Sequence, residues 1–199
     1  MIALESRPET QIDSLIFDKN LVVYAGTLEP YQGIDILISA FQYVIPADPN
    51  AFLLVVGGTV AQVEQYSQLA DQCGIGEYCL FTGRVPQSLA QYYANQARVQ
   101  VSPRRSGTNT PLKVYQQIAS GVPLVATNIY SHTQVLSDEV AFLVELDPKD
   151  MGQGILTALT DYQERKRRAE AAKQLYAEKY SRQVYTEKMR SLLNFVMNS

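Results

Sequence analysis

The chain has no tryptophan, one histidine (His132) and two cysteines (Cys73 and Cys79). It also lacks any apolar run long enough to cross a bilayer, which takes about 20 residues. Each shortage removes a class of function. One histidine and two cysteines offer no spacing that assembles a zinc site. Two thiols read as free fit a reducing compartment, so the chain reads as cytoplasmic. Its 17 Lys and Arg against 20 Asp and Glu leave a net charge of −3, which gives no basic field for nucleic acid. The N-terminus lacks the basic-then-apolar layout of a signal peptide. What remains is an ordinary soluble composition, 46% hydrophobic over 199 residues, enough for one α/β domain with a substantial core.

Residues 1–20 are polar and unpatterned and read as a leader or interdomain linker, leaving residues 21–199 as the domain. From Leu21 onward, short β-branched runs alternate with segments whose apolar residues recur at helical spacing. That rhythm predicts βαβ units, here a doubly wound, Rossmann-like parallel sheet of six strands at 21–25, 52–56, 79–82, 99–102, 123–126 and 141–144. Helices are expected at 34–45, 60–73, 88–94 and 111–120, with Pro46 stopping the first and Gly121 the last. Three further helices, at 150–160, 165–179 and 182–197, are expected to pack back onto the sheet. The basic run Arg165 to Arg168 precedes alternating Glu and Lys, the pattern of a solvated helix face.

The richest segment runs from Ser102 to Gln116. It reads as a strand end, a small polar loop and a helix opening at Pro111, with Thr110 as its cap. A helix start of that kind leaves backbone N–H groups free to bind an anion. Gly107 allows close backbone approach, and Arg104, Arg105 and Lys113 bring positive charge to the same point. In an open parallel sheet, ligands sit at the carboxyl ends of the strands where strand order reverses. The rule gathers three more glycine-bearing loops there, after the first strand (residues 26–33), the second (57–59) and the third (83–86).

Four strings together, at residues 24–33, 55–58, 81–86 and 118–127, resemble the C-terminal domain of family 4 glycosyltransferases of the GT-B fold. Among them are Tyr24-Ala25-Gly26-Thr27, Val55-Val56-Gly57-Gly58, Gly83-Arg84-Val85-Pro86 and Ser120-Gly121-Val122-Pro123. The resemblance covers nearly the whole chain. It implies a domain that binds a nucleotide-sugar donor (a UDP-, GDP- or ADP-sugar) for transfer to a glycan or lipid, as in polysaccharide biosynthesis. Transfer would proceed with retention of configuration and, as usual in such enzymes, without a metal. The base would lie near Arg84 and Val85. The diphosphate would lie against Gly26, Thr27 and Gln32 and the segment Arg105, Gly107, Thr108, Asn109, Thr110 and Leu112, with the ribose near Gln116. Lys113 is the expected catalytic cation on the leaving diphosphate. The resemblance also implies a missing N-terminal acceptor-binding domain, inactivity of this half alone, and membrane contact only through a full-length enzyme.

This sequence departs from that family pattern. Thr27 and Gln32 stand where the family usually has arginine and lysine, Thr108 and Gln116 where it has glutamates, and Gln134 at a further acidic position. The charge lost from the first loop is therefore expected to come from Lys113 and a neighbouring arginine. His132 follows the fifth strand, where a local hydrogen bond is the expected role rather than general base catalysis. Glu29 and Asp35 suit the helix dipole as well as they suit a sugar. Tyr92, Tyr93 and Tyr115 fall at core-packing positions. A degenerate module that binds a nucleotide without catalysis is the alternative. A sugar-nucleotide epimerase is disfavoured, because its chemistry needs more carboxylates and histidines near the sugar.

Overall fold

A computed structural model describes residues 11–16 and 18–197. The six strands are β1 (Asn20–Ala25), β2 (Ala51–Val56), β3 (Cys79–Phe81), β4 (Val99–Ser102), β5 (Leu124–Thr127) and β6 (Phe142–Val144). Every pairing is parallel, in the order β3-β2-β1-β4-β5-β6. The expected doubly wound, Rossmann-like sheet is thus present. The central strands are buried on both faces, which explains their unbroken apolar runs such as Ala51–Val56. Strand order reverses between β1 and β4, so the loops leaving these neighbours diverge and open a crevice.

The helices are α1 (Gln11–Ile16), α2 (Ile34–Val44), α3 (Val60–Gln72), α4 (Gln87–Gln96), α5 (Leu112–Ser120), α6 (Tyr130–Thr133), α7 (Pro148–Thr160), α8 (Tyr162–Leu175) and α9 (Arg182–Met197), with a π-helical turn at Tyr176–Tyr180. On one face of the sheet, Leu37 and Phe41 of α2, Tyr66 of α3 and Ile155 of α7 share one core with β1, β2, β4 and β5, α7 lying over β5. On the other face α4 packs Tyr93 against β1 and β2, and α5 and α8 pack Val114, Ile118 and Ala172 against β5.

Some expectations change. Helix α1 forms within the stretch read as unpatterned, and Ile16 joins the core beside Leu21; residues 1–10 lie outside the described residues. The short helix α6 forms after the fifth strand, where no helix is expected from the sequence. Helix α7 starts at Pro148 because Asp147 caps it, accepting from the N–H groups of Lys149 and Asp150. Helix α8 starts at Tyr162 for the same reason, with Asp161 as its cap. The last expectation fails for α9: it buries none of its residues, and Leu192, Leu193 and Phe195 are exposed.

Glycines pin the loops that frame the crevice. Gly33 adopts φ 74°, ψ 30°, ends the 3₁₀ turn Pro30–Gln32 and begins α2. A Cβ there would sit 2.0 Å from the backbone oxygen of Pro103, so only glycine lets the first loop touch the loop after β4. Gly33→Ala should destabilise the fold by more than about 2 kcal/mol, combining left-handed strain with the clash. Urea unfolding measures this, and stability within about 0.5 kcal/mol of wild type, the size of an ordinary surface change, would contradict it.

Candidate functional site

At the carboxyl ends of the strands the loops are locked together by backbone. Gly26 N–H donates to Val56 O at 3.0 Å, Gly57 N–H to Gly83 O at 2.9 Å, and Arg105 N–H to Tyr31 O at 2.8 Å. Two adjoining cavities open along this edge, of about 240 and 290 Å³, and share Gly26 and Ala90. The first lies between α4 and α5, lined by Gln91, Gln100, Lys113, Gln116 and Gln117 among others. The second lies under the loops after β1, β2 and β3, lined by Thr27, Gly57, Gly58, Gln62, Arg84 and Val85. Together they reach the size range of small-molecule sites.

The helix bordering this edge starts differently from its expected form. Pro111 is itself the N-cap, extended at ψ 137°, so the first helical residue is Leu112. No side chain caps it, which corrects the expectation for Thr110. Val114 N–H turns back to Pro111 O at 2.9 Å. The N–H groups of Leu112 and Lys113 belong to the first turn, where no intrahelical acceptor exists, and with the helix dipole they form a ready anion site.

Lys113 stands at the centre. Its Nζ donates to Gln32 Oε1 at 3.1 Å and lies 4.3 Å from the centroid of the Tyr24 ring. It is also 3.5 Å from where a side chain on Gly26 would begin, which brings the α5 cation directly to the first loop. Gln32 is buried, and its Nε2 donates to Thr27 Oγ1 at 3.4 Å. The Tyr24 hydroxyl donates to Thr27 O at 2.6 Å. Burial first, then the Arg104 charge, pushes the Lys113 pKa down to about 7. Among the described residues no carboxylate pairs with this ammonium, which leaves it primed for an anion.

The two arginines separate. Arg105 pairs with Asp35 and is held beside α2. Arg104 stacks on Tyr31 at 5.2 Å, and its Nε donates to Ser106 O at 2.5 Å. A Cβ on Gly107 would meet the Arg104 guanidinium at 2.3 Å. Arg104, rather than Arg105, is therefore the arginine whose charge bears on Lys113 and His132.

His132 is fully buried. Its Nε2 is 3.0 Å from Ser102 Oγ, and its Nδ1 is 2.9 Å from Thr127 O. The carbonyl requires the proton on Nδ1, leaving Nε2 to accept from Ser102. The ring thus ties the ends of β4 and β5, and Thr127 Oγ1 in turn donates to Arg104 O at 2.5 Å. Burial pushes its pKa down to about 4 despite the bond to Thr127. It is a neutral strut, as its sequence position suggested.

Of the other expected residues, Gly26 and Thr27 border both the Lys113 network and the cavities, Arg84 and Val85 line the second cavity, and Gln116 lines the first. Thr108 O accepts from Gln134 Nε2 at 2.7 Å, so the two positions that usually carry acids are joined by a neutral bond. Thr108 and Asn109 are exposed on the loop, and Leu112 is exposed at its helix start. Sequence reasoning missed Tyr24, Gln100 and Gln117. The first was legible as an aromatic two residues before the loop glycine; the buried glutamines gave no pattern. Among the described residues there is no cluster of three metal-ligating side chains, and no helix is long and apolar enough to cross a membrane.

Comparisons with known proteins now bear on this geometry. A phosphatidyl-myo-inositol mannosyltransferase of Mycobacterium tuberculosis is 30% identical over 125 residues, 62% of this chain and 32% of that protein. The chain therefore spans about a third of that relative's length. The structure of Anabaena HepE with UDP and glucose matches with a TM-score of 0.80 at 15% identity, over 92% of this chain and 51% of that one. The C-terminal domain of LpcC, a group 1 glycosyltransferase of Francisella tularensis, matches at 0.69 and 18% identity, over 81% of this chain and 86% of that one. The family described as glycosyl transferases group 1 matches residues 6–175, so this chain belongs to the group 1 glycosyltransferases and has their GT-B, Rossmann-like fold.

Proposed function

We propose that this chain is the donor-binding domain of a retaining, family 4 glycosyltransferase, and that a nucleoside diphosphate sugar lies across the carboxyl ends of β1, β2 and β4. The observation that carries the reading is the meeting of Lys113 with Gly26 at the uncapped start of α5. The diphosphate would take the Leu112 and Lys113 N–H groups and the Lys113 ammonium, with Arg104 adding charge from beside Tyr31. As the glycosidic bond breaks, negative charge grows on the leaving diphosphate. Fixed N–H dipoles and a neighbouring cation stabilise that charge more than they stabilise the ground state. Gln116 would take a ribose hydroxyl and the Arg84-Val85 edge the base, which is uracil, guanine or adenine. The UDP bound by HepE supports this class of donor.

The acceptor, a glycan or lipid, belongs to a second domain in this reading, as in polysaccharide synthesis. The alignment to a separately solved C-terminal domain supports that division. Membrane contact would then come through the full-length enzyme. The unpaired thiols of Cys73 and Cys79 suit a cytoplasmic enzyme. A second reading, a binding module without turnover, draws on one observation: amides at 32, 116 and 134 replace the family's charged groups, and Gln134 is already bonded to Thr108.

A thermal-shift panel of UDP, GDP, ADP and their sugars tests the donor role. A ligand at a hundredfold excess over its Kd adds about 2.7 kcal/mol, or about 5 to 10 °C for a domain of this size. One base should give that shift and its nucleoside a much smaller one. No shift from any of the three diphosphates would overturn the reading. The chain alone should bind donor without transferring sugar, since transfer needs the acceptor oriented within a closed cleft.

A further inference from the structure

We propose that Gln32 and Tyr24 are positioning residues that hold the Lys113 ammonium at the first loop, so that the diphosphate is gripped from the α5 side of the crevice. This rests on the donor-binding reading above. Neither residue needs to touch the ligand. Gln32 is buried, and its amide spans the crevice, giving Nε2 to Thr27 and taking Lys113 Nζ on Oε1. The orientation is fixed: Nζ has only hydrogens to offer, so Oε1 must face it. Tyr24 is fully buried, and its ring lies beneath the ammonium at a distance suited to cation–π attraction. Its hydroxyl closes the circuit on Thr27 O.

A neutral holder has a chemical consequence. The charged and titratable groups facing Lys113 are Tyr24 from β1, Arg104 from the loop after β4 and His132 from α6. Tyr24 stays protonated, because burial raises its pKa, and His132 is neutral above its depressed value. Among the described residues no carboxylate forms an ion pair with Lys113. A carboxylate at position 32 would hold the ammonium too, but would cancel the charge that the diphosphate needs. An amide orients it and leaves its charge unspent. Burial, and after it repulsion from Arg104, leaves part of the lysine neutral at pH 7, so an arriving diphosphate takes up a proton there.

The test uses two readouts on the same variants: UDP affinity by calorimetry from pH 6 to 8.5, and the acetylation rate of Lys113 with trace acetic anhydride, read by mass spectrometry without ligand. Wild type should lose UDP affinity as pH rises above about 7, approaching tenfold per unit, because the cation is lost. Gln32→Glu should slow acetylation at pH 7 at least fivefold, by keeping the lysine protonated, and weaken UDP at least tenfold. Gln32→Leu and Tyr24→Leu should speed acetylation and move the affinity profile to lower pH, whereas Tyr24→Phe, which keeps the ring, should restore most of the wild-type profile. Unfolding midpoints screen each variant for a folded core. An acetylation rate and a pH profile within twofold of wild type in the folded Gln32→Glu variant would overturn the proposal. Absence of any binding of UDP, GDP or ADP by wild type would instead defeat the donor-binding reading, and acetylation would still judge how Lys113 is held.

Discussion

Lys113→Ala should weaken nucleoside diphosphate binding by about tenfold to a hundredfold at pH 6.5 and change nucleoside binding less than threefold. The range follows from a charge-assisted hydrogen bond to phosphate, worth about 1.5 to 3 kcal/mol. It is large because this chain has no cation at Thr27 or Gln32 to share the load, and because Arg105 is committed to Asp35. Arg104 is the second cation whose charge bears on Lys113. Lys113→Arg should recover only part of the loss, since a guanidinium cannot occupy the same narrow place between Gln32 Oε1 and the Tyr24 ring. Calorimetry with UDP and uridine, or the corresponding pair for whichever base binds, reads the difference directly. Equal losses for diphosphate and nucleoside would show that Lys113 serves the fold rather than the phosphates.

The second large effect is on stability in acid. His132 has an ordinary value of 6.5 when unfolded and about 4 when folded, because burial disfavours the imidazolium. Between these values the unfolded chain binds a proton that the folded chain refuses. The stability it contributes is therefore fully present above about pH 6.5 and is lost as pH falls toward 4. The slope approaches about 1.4 kcal/mol per unit and sums to roughly 3 kcal/mol. Carboxylates titrate in the lower part of this window, so the comparison is with His132→Gln, which is less stable at pH 7.5 but lacks this slope between pH 6.5 and 5. As the only histidine in the chain, it gives a single imidazole signal by NMR. Titration of that signal near 6.5 in the folded protein, with parallel stability curves for the two proteins, would contradict the buried-strut assignment.

Much of this architecture is legible in the sequence. Strands buried on both faces produce unbroken apolar runs, and glycine or proline after each marks where the backbone turns. The runs at residues 21–25 and 52–56 could therefore be placed to within one residue, and so could the three-residue strands β3 and β6, expected at 79–82 and 141–144. The loop convergence followed from one rule about switch points. The fine division of the site did not. Whether Arg104 or Arg105 faces the ligand depends on Asp35, seventy residues earlier in the chain, and on the stacking of Arg104 over Tyr31. No local pattern encodes either contact. Thr110 looked like a cap because threonine before proline usually is one. The extended Pro111 moved the helix start by one residue and left it uncapped, which suits an anion better than the expected cap did.

Gln32 illustrates the same limit. Its type shows that a family cation is missing, but only the fold shows that its amide holds the replacement. The face of α9 with Leu192, Leu193 and Phe195 was legible as amphipathic but not as exposed, since periodicity reports a face and not what covers it.

The central claim is that this crevice holds the diphosphate of a nucleotide-sugar. A crystal structure of the chain grown with saturating UDP, or with the diphosphate that gives the largest thermal shift, tests it most directly. The phosphates should lie within hydrogen-bond distance of the Leu112 and Lys113 N–H groups and of Lys113 Nζ, beside Gly26, with the base toward Val85. A nucleotide at the amino ends of the strands, or one whose phosphates leave Lys113 on Gln32 and Tyr24 untouched, would contradict it.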